Sequence, residues 1–253
     1  MKPGRLRIVI ARDRQQTLAA LFAKLSRGER EHAGRLPTAR QRRHFALGRL
    51  AARAAVRQIL NDAVAAASIE VVNGRRREPL VRVNDHASDV SVSIAHSGGL
   101  GVACAWRNSD GGCYAAGIDI EQIRSNQVFE NPYAFSPREQ KLLANTAEGV
   151  DIAGLAAWTV KEAVWKALGA DDRIGPEAIA LQSFDLGLGC AKVQVRRQLK
   201  TLLRGRQIRV GCKILKVSGD AYVLSIAQVD ELETERIASD SVKDEYVHNR
   251  QRP

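Results

Sequence analysis

Two carboxylates stand two residues apart in Gly117-Ile-Asp119-Ile-Glu121. On a strand this spacing aims both side chains to one face, while Ile118 and Ile120 turn into a core. Like charges held side by side repel. A hard cation such as Mg²⁺, which takes oxygen ligands and keeps water or phosphate oxygens in its shell, is the natural occupant between them. A solvated polar face on an edge strand has the same alternation, so the pair alone does not decide. About forty residues on, Trp158-Thr-Val-Lys-Glu162-Ala-Val-Trp-Lys166-Ala-Leu-Gly169 puts Glu162 and Lys166 one helical turn apart, on a stripe that also carries Leu155, Trp158 and Trp165. An exposed i,i+4 bridge contributes only about 0.2–0.5 kcal/mol, whereas unpaired charge buried in so apolar a helix costs far more. The pair is therefore either a structural bridge or part of a site.

Upstream, His96 lies at the end of an apolar run beside Ser97-Gly98-Gly99, a place that suits a core or loop histidine as well as a functional one. Arg40, Arg42 and Arg43 precede Gly48-Arg49, and Arg75, Arg76 and Arg77 form a basic turn before Pro79. Forked guanidinium donors match phosphate oxygens, and a solvated basic face has the same composition. Arg49 and Arg53 suit structural ion pairs equally well.

The elements that must hold these groups follow from periodicity. Leu6 to Ala11, Ile69 to Val72, Val90 to Trp106 broken at Gly98-Gly99, and Ala115 to Ile120 are predicted as strands. Gln41 to Leu60 is predicted as a helix with Phe45, Leu47, Leu50, Ala51, Ala54, Ala55 and Leu60 on its apolar face, opposed by Arg42, Arg43, Arg49, Arg53 and Arg57. Ser136-Pro-Arg-Glu139 has the form of a capping box that starts a helix at Pro137 and runs to about Ala144. A mostly buried helix follows from Ile152 to Leu168, which Gly169 stops. Strands near Lys192–Arg196, Gln207–Ile214 and Tyr222–Val229 close the fold, and the polar stretch Glu231–Pro253 is expected as a tail. Ser93-Ile-Ala-His96 and Ser225-Ile-Ala-Gln228 echo one another downstream of the two long helices, the pattern a duplicated unit leaves.

The chain's 253 residues suit one large domain or two lobes of about 115–125 residues. Met1 to Arg14 has no signal-peptide core, and no stretch reaches the roughly 18 apolar residues of a membrane span, so a cytoplasmic protein is expected. Cys104, Cys113, Cys190 and Cys212 lack CxxC spacing and a nearby histidine pattern, which points away from a disulfide framework or zinc site. The net charge is +11, and residues 1–115 hold 20 Lys and Arg against 9 Asp and Glu, while residues 116–253 hold 19 of each. An anionic partner therefore meets the first half.

Glycine-Ile-Asp-Ile-Glu followed by Trp-x-x-Lys-Glu-Ala-x-x-Lys-x-x-Gly, with Phe135-Ser-Pro-Arg-Glu139 between, resembles the paired signature of the 4′-phosphopantetheinyl transferases. Phe45-Ala-Leu-Gly48-Arg49 with Arg53, the basic turn before Pro79, and the strand ending in Ser-Ile-Ala-His96-Ser97-Gly98 are similar to that family's remaining boxes, in order across roughly residues 40–170. The length resembles the large Sfp-type class rather than the half-length trimeric synthases. That resemblance implies an α+β fold of two pseudo-symmetric lobes, residues 1–115 and 116–230, in a monomer with its site between them. It implies an enzyme, a holo-acyl-carrier-protein synthase, that moves the phosphopantetheine arm of coenzyme A to a serine of an acidic apo-carrier protein and releases 3′,5′-ADP. Asp119, Glu121 and Glu162 would hold Mg²⁺, with Asp119 also on the coenzyme side. Lys166 would steady or protonate the leaving phosphate, and either Glu162 or a metal-bound water would take the serine proton. Arg40, Arg42, Arg43, Arg77 and His96 would grip coenzyme A phosphates.

Two positions depart from the family pattern. Ala95 stands where Ser is common and Glu78 where a base is common, which leaves Arg77 as the available base near the 3′-phosphate. Two further readings compete: a catalytically degenerate coenzyme A-binding relative, which would be expected to lose one of the three carboxylates, and a basic nucleic-acid-binding protein. The second is disfavoured, because aromatics are only 5% of the chain and no nucleic-acid-binding signature is present. No nucleic-acid or membrane partner is expected. Arg53 and Arg57 are expected as exposed members of a basic surface that guides the carrier.

Overall fold

A computed structural model describes residues 6–13, 16–107, 113–124, 134–169, 174–203 and 205–230. The expected tail, Glu231–Pro253, lies outside them. The chain folds as two α/β units in sequence, each a long helix laid on an antiparallel sheet.

The first unit opens with β1 (Arg7–Arg12), the short helices α1 (Leu18–Phe22) and α2 (Arg27–Gly34), and the long helix α3 (Ala39–Ile59). Then come β2 (Ile69–Asn73), β3 (Pro79–Val83), β4 (His86–Ala87), β5 (Val90–Ser97) and β6 (Leu100–Arg107). Strand β6 lies between β1 and β5, and β2, β3 and β4 form a smaller sheet. The Gly98-Gly99 break is the tight turn between β5 and β6, where both residues take positive φ (52° and 83°) that side chains with a Cβ adopt rarely. Helix α3 starts two residues earlier than its apolar pattern does, because Thr38 and Gln41 form a capping box.

The second unit opens with β7 (Ala115–Ile123), α4 (Pro137–Ala144) and α5 (Val150–Ala167). It closes with β8 (Ile179–Asp185), β9 (Cys190–Val195), α6 (Arg197–Leu203), β10 (Gln207–Val217) and β11 (Asp220–Asp230). Its sheet runs β7-β11-β10-β9-β8. The Ser136/Glu139 capping box forms as expected. Helix α5 buries Ala153, Ala156, Ala157, Val160, Ala163, Val164 and Ala167.

Six elements of the two units match in chain order and sheet position, β1 with β7, α2 with α4, α3 with α5, β2 with β8, β5 with β10 and β6 with β11, although the first unit divides its strands between two sheets and the second keeps one. The equivalence extends to side chains. In each, an acidic residue at the third position of a capped short helix (Glu29, Glu139) accepts from the backbone N–H of a residue 42 positions on (Val71, Leu181) and pairs with a buried cation on the long helix (Arg53, Lys161). This repeat, and not the Ser-Ile-Ala echo, carries the symmetry. Ser93–His96 lies on β5 and Ser225–Gln228 on β11, which are not equivalent strands.

Arg53 is therefore not an exposed basic-face residue as expected. It is 6% exposed, because its guanidinium reaches Glu29 and the carbonyls of Lys24 and Ala66. Arg49 is also buried, bonded to Asn73 and lying 4.4 Å over the Phe45 ring. The arginine face of α3 is thus half covered by α2 and the Ala66–Ser68 turn. Helix α2 itself escaped the sequence pattern because it buries only Glu29 and Ala33 and so has no apolar stripe.

The units join along β5 and β7. Ala95, Leu100, Val102, Cys104 and Trp106 of the first pack on Ala116, Ile118, Ile120, Tyr222 and Leu224 of the second. The two strands make no ladder. Instead serine hydroxyls meet β7's outer edge: Ser93 Oγ accepts from Ile118 N–H at 3.2 Å and Ser97 Oγ from Gln122 N–H at 3.1 Å. Tyr222 donates to the Gly98 carbonyl at 2.7 Å and closes the end of the seam.

Candidate active site

The carboxylates stand where β7 crosses α5 and meets the end of β5. Gly117 allows the crossing to be close: a Cβ there would sit 2.0 Å from the Ala163 carbonyl oxygen. Strand and helix backbones therefore touch, which brings Asp119, two residues along β7, beside the last turn of α5. Ile118 and Ile120 are fully buried, as the alternation requires, but Asp119 is also only 6% exposed. The strand is covered on both faces here.

Lys166 Nζ lies 2.6 Å from Asp119 Oδ1 and 3.4 Å from the Ile118 carbonyl. The lysine thus reaches across to the strand, and the i,i+4 bridge to Glu162 is not the contact it makes. Burial raises the Asp119 pKa, against Lys166, which favours the ionised form. For Lys166, burial is outweighed by Asp119, with Glu162 and Glu121 adding, so its pKa rises and it stays charged.

Glu121 accepts from Ser97 Oγ at 2.9 Å, so β5 holds it from the first unit. Its pKa is raised by burial and then by the Asp119 charge. Glu162 is raised by burial and by both Asp119 and Glu121, with Lys166 opposing. These couplings make the three carboxylates one electrostatic cluster, whose ions are disfavoured by burial and mutual repulsion, against Lys166 and, at Glu121, against Ser97 and Arg124.

The donor set fits a hard dication in chemistry: three oxygen-bearing groups whose charges are under-compensated. Among the described residues, no three His, Cys, Asp or Glu side chains are closed tightly enough to hold an ion as they stand. The physical reason is local, since Asp119 is turned to Lys166 and Glu121 to Ser97.

Of the other expected residues, His96 belongs to this cluster. Its ring is exposed at the end of β5, yet loses enough solvation to lower its pKa, and it feels both Lys166 and Asp119. Its ring lies against that of His44 in a tilted pair, with centroids 4.8 Å apart and planes 34° from parallel. His44, missed from sequence, has its pKa lowered to about 4 by burial, then by His96 and Arg40. Its only sequence signal was its place next to Phe45 on a helix already assigned to phosphate contacts.

Arg40 is exposed beside this pair. Arg42 and Arg43 are engaged elsewhere: Arg42 Nε donates to the Leu36 carbonyl at 2.8 Å, and Arg43 to Asp13 and the Gln16 carbonyl at 2.7 Å each. Arg77 is exposed in the β2–β3 turn, with φ at 64°. Glu78 folds back onto the Arg76 N–H at 2.8 Å, so this carboxylate is tied into the turn.

Residues 115–227 match the family model of the 4′-phosphopantetheinyl transferase superfamily. Solved structures similar to this chain include an apo synthase of that superfamily from Chronobacterium ammoniagenes, at 16% identity over 46% of this chain and 96% of its own, with a TM-score of 0.31. The same organism's synthase in complex with coenzyme A matches at 19% identity over 46% and 98%, TM-score 0.31. A Helicobacter pylori holo-acyl-carrier-protein synthase in complex with coenzyme A matches at 15% over 40% and 97%, TM-score 0.26. No curated protein matches. The family match covers β7, α4, α5 and most of the second sheet, the elements that supply Asp119, Glu121, Glu162 and Lys166, so the second unit of the chain is similar to the 4′-phosphopantetheinyl transferase superfamily.

Proposed function

We propose that this protein transfers the 4′-phosphopantetheine arm of coenzyme A to a serine of an acidic apo-carrier protein, with Mg²⁺ held by Asp119, Glu121 and Glu162, as a single two-lobed chain of the Sfp type. The observation that carries the proposal is the coupling of three carboxylates from β7 and α5 around one lysine, at the seam of two equivalent units. In the transfer, the serine oxygen forms a bond to the phosphorus that bears pantetheine, the bridging P–O bond breaks, and 3′,5′-ADP departs. Asp119, Glu121 and Glu162 would hold Mg²⁺, and a cation there would supply charge neutralisation for the transfer.

The chain's own groups divide the remaining work. Lys166 places a full positive charge where the leaving phosphate gains charge, and stays protonated because its pKa is raised by Asp119. Glu162, whose pKa is raised by burial, is the side chain best suited to accept the serine proton. His96, with Arg40 and His44 beside it, faces the 3′-phosphate. Its imidazole is neutral at pH 7 and gains a proton favourably only when an anion arrives. Residues 1–115 supply the coenzyme and carrier surface, and residues 116–230 the metal and transfer groups.

The test is transfer of labelled phosphopantetheine from coenzyme A to an apo-carrier protein, with Mg²⁺ and with chelator. Label on the carrier serine with Mg²⁺ alone supports the reading. Coenzyme A binding without transfer would instead identify a degenerate relative.

A further inference from the structure

Lys161, the residue immediately before Glu162, is 1% exposed. Its ammonium has three partners: Glu139 Oε1 at 2.7 Å, the Ala134 carbonyl at 2.8 Å, and the Phe135 ring at 5.0 Å. Glu139 in turn accepts from Leu181 N–H at 2.9 Å, and from Ser136 N–H and Oγ at 2.8 Å each. One buried ion pair therefore ties α5 to the start of α4 and to β8.

Other side-chain bonds leave α5, with Thr159 Oγ1 2.6 Å from Ser225 Oγ, Trp165 Nε1 donating to the Ile174 carbonyl and Lys166 on Asp119, but Lys161–Glu139 is the one fully buried ion pair among them. The buried face of α5 is lined by Ala153, Ala156, Ala157, Ala163 and Ala167 and laid on Gly117, and apolar burial of such small residues is non-directional. A directed polar anchor is what sets rotation and depth, and one step of rotation, about 100° on a helix, separates Lys161 from Glu162. Resting on the proposed function, we infer that Lys161 is a positioning residue: its pair with Glu139 sets α5 so that Glu162, and Lys166 one turn on, face Asp119.

The molecule contains its own control. Arg53 and Glu29 make the equivalent pair on α3, but the residue after Arg53 is Ala54, and no carboxylate cluster depends on it. A purely structural role makes the two pairs alike in every readout. A positioning role makes only the second one matter to Mg²⁺.

The experiment uses the full chain and its Lys161→Met, Lys161→Arg, Glu139→Gln and Arg53→Met variants. The Mg²⁺ concentration giving half of the Mg²⁺-induced rise in melting temperature is measured without substrates, and kcat and KM for coenzyme A in the transfer assay. Lys161→Met raises the Mg²⁺ midpoint about tenfold or more, the range for loss of a residue that orients a ligand. It lowers kcat by about tenfold while the coenzyme A KM stays within about twofold. Arg53→Met loses stability but keeps the wild-type Mg²⁺ midpoint, and Lys161→Arg, the residue the first unit uses at this station, recovers most of the loss. If Lys161→Met fails to fold, Glu139→Gln, which keeps shape and the capping acceptor, carries the same expectation. The inference is overturned if Lys161→Met or a folded Glu139→Gln keeps the wild-type Mg²⁺ midpoint, or if Arg53→Met shifts it equally. A wild-type chain that responds to Mg²⁺ but transfers nothing sinks the functional reading, and the midpoints still decide the role of Lys161.

Discussion

The contact between Lys166 and Asp119, 2.6 Å long, balances one of three coupled carboxylates and leaves the other two to burial and mutual repulsion. Removing a carboxylate relieves that repulsion. Glu162→Gln is therefore expected to abolish Mg²⁺-dependent transfer with no loss of melting temperature, checked by the transfer assay and thermal unfolding. Lys166→Ala should lower kcat more than it weakens coenzyme A binding, because the lost charge is needed most as the phosphate departs. An equal loss in binding alone would make Lys166 an anchor. The raised pKa values give a pH signature. Asp119, Glu121 and Glu162 are held above their unfolded values, so protonation favours the folded state, and the advantage present at low pH is lost as pH rises through the folded values. Mg²⁺ needs the ionised forms. Its rise in melting temperature should therefore grow with pH and fade on acidification at a pH above the ordinary carboxylate range of about 4.

At the scale of elements, the crossing of β7 on α5 decides whether these residues meet. Gly117→Ala puts a methyl 2.0 Å from the Ala163 carbonyl, a backbone atom of a buried helix that cannot give way locally. The strand must lift from the helix at a cost of about 3 kcal/mol, or roughly 5–10 °C in melting temperature. Asp119 moves with it, so transfer should fall in the fraction that remains folded. A Gly117→Ala protein with wild-type melting and turnover would show that the backbones need not touch. Serine at 97 acts on the same geometry from the other side, through both Glu121 and the Gln122 N–H.

For the whole molecule, residues 1–115 carry the entire excess of +11. On the proposed function the carrier is acidic, so the basic unit is expected to steer the carrier as well as hold coenzyme A. Exposed charges acting across more than a Debye length, about 8 Å at physiological ionic strength, are screened by salt more than groups grasping phosphate in a cleft. The carrier KM should then rise faster than that of coenzyme A between about 50 and 300 mM salt. Charge reversal tests this only at an exposed site. Arg57, about half exposed and paired with Asp62, qualifies, whereas buried Arg53 would unfold the first unit instead. Arg57→Glu should raise the carrier KM and leave that of coenzyme A nearly unchanged. A flat carrier constant with a climbing coenzyme A constant would confine the basic half to the cofactor.

Sequence by itself determined the elements with strong periodicity or strong punctuation: α3, α5, the β5–β6 turn at Gly98-Gly99, the capped start of α4, and β7 with its one-faced carboxylate pair. These depend on neighbours within a few residues, which one-dimensional spacing records. The family resemblance was legible there too, because Asp119, Glu121, Glu162 and Lys166 lie in two short boxes. Only the tertiary structure decided which charges pair. Lys166 turns to Asp119, 47 positions away, and not to Glu162 one turn back. Arg53 is buried on Glu29, Arg43 is taken by Asp13, and His44 lies against His96. A charged side chain has no periodicity that reveals its partner. Its burial is fixed by which segments fold over it: for Arg53 a short helix with no apolar stripe, for Lys161 the capped helix α4, and in each unit the carboxylate partner is held by a strand residue 42 positions on.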